Sequence, residues 1–177
     1  MKTINGIFRT EKITAVLMVM MVGLVSVAST IKADFSGEWT FDPLKSNMSE
    51  SSMMAPIKMM ITQEKNSIVI QRVSRNQQNE NMSMTDNISF DGKETDGTGF
   101  ANSTRRSSMV WESNNSFKLK ISVSGTMEGT PFNVSITEDW SLSSDRNTLT
   151  IDREANGTRG LVITKHVYNR EIISSKK

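Results

Sequence analysis

From residue 34 onward, apolar and polar residues alternate in short runs with a period of two, the signature of half-buried strands. Such runs cover Gly37 to Phe41, Ile57 to Gln63, Ser67 to Val73, Met82 to Phe90, Ser103 to Glu112, Phe117 to Val123, Phe132 to Ser141, Thr148 to Arg153 and Leu161 to Arg170. Nine short strands at this spacing predict an all-β sandwich or barrel. The same stretch holds three Ala and five Leu among many Ser, Thr, Asn, Val and Ile. That composition disfavours long helices.

Turn chemistry extends the picture. Asn66-Ser67-Ile68, Asn115-Ser116-Phe117 and Asn147-Thr148-Leu149 each close a polar stretch and open an alternating strand, with Asn available for the positive φ of a tight turn. Asp91-Gly92 and Asn156-Gly157 are further hairpin signals. Successive hairpins without crossover helices make an antiparallel meander. A meander of about eight to ten strands hides its edges by closing into a barrel. Lys45 to Ala55, rich in Ser and Met, breaks the alternation and reads as a short helix or lid between the first two strands.

The N-terminus follows a different rule. Met1 to Lys12 is cationic, Ile13 to Val27 is apolar except for Thr14, Gly23 and Ser26, and small residues follow. This is the layout of a secretory signal peptide, here residues 1–33, followed by one domain over 34–177. Cleavage fits after Ala28 or after Ala33, and the second is favoured because the folded pattern begins at Asp34. The apolar run is shorter than the roughly 20 residues of a membrane span. The expected product is therefore exported, periplasmic or extracellular, with no stable membrane insertion.

Charge and composition look different once that segment is set aside. The whole chain of 177 residues has 21 Lys and Arg against 19 Asp and Glu, but residues 34–177 have 17 against 18. A polybasic nucleic-acid binder is excluded. Zero Cys excludes thiol and disulfide chemistry, so an exported fold must stand on its core and hydrogen bonds. Hydrophobic residues make up 31% of those 144 residues. That is lean for an outer-membrane barrel, which needs a lipid-facing apolar band and aromatic girdles.

Asp34-Phe35-Ser36-Gly37-Glu38-Trp39-Thr40-Phe41-Asp42-Pro43-Leu44-Lys45-Ser46 resembles the start of small secreted lipocalin-like proteins of bacteria, in which Phe-Ser-Gly-x-Trp leads into an Asp and a Lys-Ser. Trp140 to Arg153 and Val167-Tyr168-Asn169-Arg170 resemble that group's closing hairpin and last strand. The resemblance implies a calycin-type barrel with a hydrophobic cavity. It also implies that Gly37 bends the chain onto the barrel floor, that Trp39 plugs the floor, and that Arg170 covers Trp39. That places His166, Tyr168 and Arg170 on one face of the last strand and Leu161, Ile163 and Val167 on the other.

Candidate chemistry is sparse. One His and no Cys leave no nucleophile signature, so His166 is the lone candidate base or haem ligand. Nine Met lie in residues 34–177, five of them between Met48 and Met60, with Met82-Ser83-Met84 beyond. Thioethers at such spacing suit Cu(I), with Met53, Met59, Met82 and Met84 as candidate ligands, and they serve equally as apolar filler or as an adaptable ligand wall. Arg105-Arg106 reads as a solvated strand face or an edge guard.

These readings converge on a non-catalytic exported barrel that binds an apolar small molecule or lipid without a cofactor. Alternation selects Met59, Met82, Met84, Phe90, Trp111 and Trp140 as its cavity wall. The alternatives are a packed barrel that docks an envelope partner, a His166-centred enzyme or haem barrel, and a Cu(I) binder.

Overall fold

In a computed structural model the described residues are 31–48, 55–76, 78–99, 103–158 and 160–171. They form ten strands: β1 (Gly37–Phe41), β2 (Lys58–Gln63), β3 (Ser67–Arg75), β4 (Asn81–Ser89), β5 (Thr95–Thr98), β6 (Thr104–Trp111), β7 (Ser116–Met127), β8 (Thr130–Leu142), β9 (Thr148–Gly157) and β10 (Gly160–Arg170). All ten belong to the unit Ile31–Lys177. Among the described residues there is no helix. Most of the expected signal segment, residues 1–30, and Met53 lie outside them, as does 49–54 of the expected lid. The described start of that lid is a turn through 43–45 and a single bridge from Asn47 to Lys165.

Every sequential neighbour pairs antiparallel except β4 and β5, and β1 pairs with both β2 and β10. The meander therefore rolls into a nearly closed barrel. β4 and β5, its two edges, lie against each other without a ladder. β5 is the strand that alternation misses, because Thr95-Asp96-Gly97-Thr98 contains no apolar side chain and stands at an edge.

Alternation decides which side chains enter the barrel. In β7, Phe117, Leu119, Ile121 and Val123 are buried while the residues between them face out. In β10, Thr164, His166 and Tyr168 are buried, whereas Leu161 and Ile163 are exposed. Val167 shares the outward phase but is buried because the chain after β1 crosses over it. There Asp42 N donates to Val167 O at 2.8 Å and Val167 N donates to Ser46 Oγ at 2.9 Å.

Asp91-Gly92 turns as expected, with Gly92 at φ +76°, but other turns use other residues. Among the described non-glycine residues, Asn79, Glu128 and Arg146 take positive φ, and Asn66, Asn115 and Asn147 do not. Asn115 instead uses its side-chain amide to donate to Leu142 O at 3.1 Å, and Asn147 N donates to Asp145 Oδ1 at 3.1 Å. Asn156-Gly157 is not a turn either. β9 continues through both residues, and Gly160 pairs with Gly157.

One barrel end is sealed. Phe35 and Trp39 are fully buried there, and Trp39 Nε1 donates to Phe35 O at 3.0 Å. The Arg170 guanidinium stands 4.2 Å from the Trp39 ring centroid, an interaction worth about 0.5–2 kcal/mol. Arg170 also donates to Ser36 O and, at 2.8 Å, to Arg146 O, which ties the opening segment to the β8–β9 turn. Gly37 makes this possible. It sits at φ +136°, and a Cβ there would come within 2.6 Å of Arg170 Nη1.

Gly37→Ala combines backbone strain with that collision and is expected to cost about 1–3 kcal/mol. Urea unfolding checks it: the midpoint should drop while the slope stays unchanged.

Candidate functional site

Above the sealed end, the inward phase of five strands switches from apolar to charged. Arg72 follows Ile68 and Ile70 in β3, and Asp86 precedes Ile88 in β4. Arg105 lies in β6 two residues before Ser107, Glu138 sits between Ile136 and Trp140 in β8, and Arg153 follows Ile151 in β9. Strand geometry forces these side chains inside, where each charge requires a partner.

The partners are present for four of the five. Asp86 Oδ1 accepts from Arg105 Nε at 2.6 Å and from Ser107 Oγ at 3.4 Å, and Oδ2 accepts from Arg105 Nη2 at 3.0 Å and from Arg72 Nη1. Glu138 Oε2 accepts from Arg72 Nη2 at 2.9 Å and from Trp140 Nε1 at 3.0 Å. Arg153 is held more loosely. Its Nε forms an ion pair with Glu138 Oε1 at 3.6 Å, and among the described residues it makes no hydrogen bond.

Burial and charge set the protonation states. Burial pushes the Asp86 carboxyl up, but Arg72 and Arg105 outweigh it and hold the group below the usual carboxylate range. Burial lowers the Arg153 pKa; Glu138 opposes that shift, and the like charges of Arg72 and Arg105 add to it. Burial, joined by repulsion from Arg153, lowers His166 to about 4 against the partial opposition of Glu138. Burial and the nearby Glu138 raise the Tyr168 phenol, so it stays protonated.

The layer forms part of the wall of a cavity of about 370 Å3. Such a volume falls in the usual range for small-molecule sites, about 300–1,000 Å3. Arg72, Arg105, Glu138 and Arg153 line it, together with Met59, Met82, Met84, Val123, Val134, Ile136 and Ile151. His166 and Tyr168 complete the wall from β10. His166 Nε2, Tyr168 OH and Thr164 Oγ1 are buried and have no hydrogen-bond partner among the described residues.

Of the residues that alternation selects for the wall, Met59, Met82 and Met84 line this cavity, and Phe90, Trp111 and Trp140 stand elsewhere. Phe90 and Trp111 belong to an aromatic cluster at the sealed end, where Trp111 meets Phe35 at 5.9 Å, Phe117 at 5.6 Å and Phe90 at 5.6 Å between ring centroids. Trp140 is fully buried, stacks on Phe117 at 5.1 Å and carries Arg72 at 5.5 Å from its centroid. Alternation finds the face of a strand but not the depth along the barrel. Of the candidate Cu(I) ligands, Met53 lies outside the described residues, and register places Arg72 between Met59 and Met84 in one cross-strand row.

Sequence reasoning missed the charged layer. Arg105, read as a solvated face, is buried and bound to Asp86, while its neighbour Arg106 is exposed and pairs with Asp96 at 3.1 Å. The available signal was phase: Arg72, Glu138 and Arg153 each share the inward parity of flanking Ile or Trp residues.

Ten antiparallel strands around an interior cavity, with one unladdered gap, make a nearly closed meander barrel. No protein-family model matches the chain, and no curated protein is similar to it in sequence. Among solved structures it is similar to the zebrafish ileal bile acid-binding protein in complex with cholic acid, with a TM-score of 0.50 and 13% identity over 77% of this chain and 98% of that one. The Schistosoma mansoni fatty acid-binding protein in complex with arachidonic acid gives a TM-score of 0.47 and 16% identity over 78% and 96% of the two chains. At these identities the likeness is one of fold.

His166 makes stability depend on pH with a definite sign. Folded His166 stays neutral down to about pH 4, while an unfolded imidazole titrates near 6.5. The unfolded state binds more protons between those values, so this contribution is complete above about pH 6.5 and is lost as pH falls toward 4. His166→Phe should shrink the stability difference between about pH 7 and about pH 5 by about 2 kcal/mol. Urea titrations of both proteins at the two pH values measure it, and equal differences would contradict the assignment.

Proposed function

We propose that this protein is an exported, non-catalytic carrier of an apolar molecule with an anionic head. The observation that carries the reading is Arg153, a guanidinium on the wall of a largely apolar cavity where three guanidiniums face two carboxylates. An anionic head would supply the missing charge, and a charged hydrogen bond of this kind contributes about 1.5–3 kcal/mol. The apolar body would lie against Met59, Met84, Val123, Val134 and Ile136, gaining about 0.8 kcal/mol per buried methylene. The cholic acid held by the zebrafish barrel is an acid on an apolar body, which is compatible with this reading.

Arg153→Met tests the head-group site, because Glu138 keeps Arg72 and Trp140 as partners and no carboxylate is stranded. Displacement of the uncharged dye Nile red should show octadecanoic acid binding about tenfold more weakly to the variant, about 1.4 kcal/mol, with octadecanol unaffected. Equal affinity of both proteins for the acid would overturn the reading.

Export carries its own expectation. Ala33 is 5% exposed, its N donates to Asn114 O at 2.6 Å, and its O accepts from Gln63 Nε2 at 3.1 Å. Cleavage after Ala33 would sever this packing, whereas cleavage after Ala28 would preserve it. N-terminal sequencing of the exported chain should therefore read Ser29 first, and a start at Asp34 would reverse this choice.

A further inference from the structure

The cavity offers more hydrogen-bonding capacity than an anionic head uses. Among the described residues neither His166 Nε2 nor Tyr168 OH has a hydrogen-bond partner, and the two residues are 4% and 0% exposed. They occupy successive inward positions of β10, about 7 Å apart along the strand. The residues directly opposite them are apolar: Ile151 faces His166, Leu149 faces Tyr168, and the Phe41 ring packs on both at 6.1 and 5.5 Å. The charged groups that act on them from other strands are Arg72, Glu138 and Arg153, and none is bonded to either. A buried polar atom left unpaired costs about 1–3 kcal/mol, so two on one cavity wall point to something that pairs with them.

The chemistry of the two atoms narrows the partner. A neutral imidazole nitrogen accepts or donates according to tautomer, and a phenol does both. A carboxylate only accepts, so it fails one tautomer of His166. A hydroxyl donates and accepts at once and serves both residues in either tautomer. We infer that His166 Nε2 and Tyr168 OH form a second polar subsite, which takes a hydroxyl carried on the ligand's apolar body, so the preferred ligands are hydroxylated amphipathic acids. The acid half of this statement rests on the function proposed above, and the hydroxyl half rests on β10 alone.

The test compares octadecanoic acid with its mono-hydroxylated isomers, the hydroxyl stepped along the chain, each displacing Nile red from the full-length protein. At least one isomer should bind about tenfold more tightly than the plain acid. In the double variant His166→Phe, Tyr168→Phe that gain, taken as the ratio of the hydroxylated to the plain acid within the same protein, should fall below about threefold. No isomer exceeding the plain acid in the wild-type protein would overturn the inference without any variant, and so would a gain that survives in the double variant. Octadecanol and its hydroxylated isomers separate the two proposals. If the acid site fails, the hydroxyl gain persists in the alcohol series; if the hydroxyl subsite fails, acids still outbind alcohols but the gain vanishes from both series.

Discussion

The barrel depends on the carboxylate of Asp86. Nine of the ten seams around the sheet are closed by backbone ladders, and the tenth, between β4 and β5, is not. Across that seam Asp86 of β4 holds Arg105 of β6 through two hydrogen bonds and reaches Arg72 of β3 as well. An interior ion pair is a costly way to close a seam, because the desolvation of two charges offsets much of their attraction. Its benefit is directional. A carboxylate with four donors around it fixes the separation of β3, β4 and β6, whereas an apolar contact would leave the unladdered edge free to slide.

That layer also divides the interior. Below it, aromatic and branched side chains fill the sealed end around Trp39, Phe35 and Phe117, and Arg170 caps the floor from outside. Beside and above it, the walls enclose space. A domain with 31% hydrophobic residues and no Cys gathers its aromatic side chains at one end and keeps a cavity beside the charged layer. Trp140 joins the two regions: its ring stacks on Phe117 of the packed end, and its indole N–H donates to Glu138 of the layer.

Most of the strand plan was legible in the sequence, because period-two alternation is a direct consequence of one wet face and one buried face. β5 was not, since an edge strand of Thr, Asp and Gly shows no such contrast. The site was only partly legible. Met59, Met82 and Met84 carry the right parity and the right depth, while Phe90, Trp111 and Trp140 share the parity but end at the sealed end. Depth follows from register and strand stagger, which a local pattern does not contain. The ionic layer escaped for the converse reason. Charged residues at inward positions resemble outward ones until pairing across β3, β4, β6 and β8 brings Arg72, Asp86, Arg105 and Glu138 together.

Order within the layer explains why an incompletely paired cation persists there. Side-chain exposure rises from 3% at Asp86, through 5% at Arg105, 7% at Arg72 and 9% at Glu138, to 24% at Arg153. The number of bonds each group makes falls in broadly the same sense. Asp86, the deepest, is fully coordinated, and Arg153, the most accessible, makes none. Arg153 is the most exposed of the five, so its charge is partly open to solvent, and in the proposed carrier it is the group that an anionic head would meet first. The deeper charges are already neutralised by their neighbours and would offer an anion less. The layer thus combines an interior brace with one accessible guanidinium, whose displacement would not open the seam that Asp86 holds.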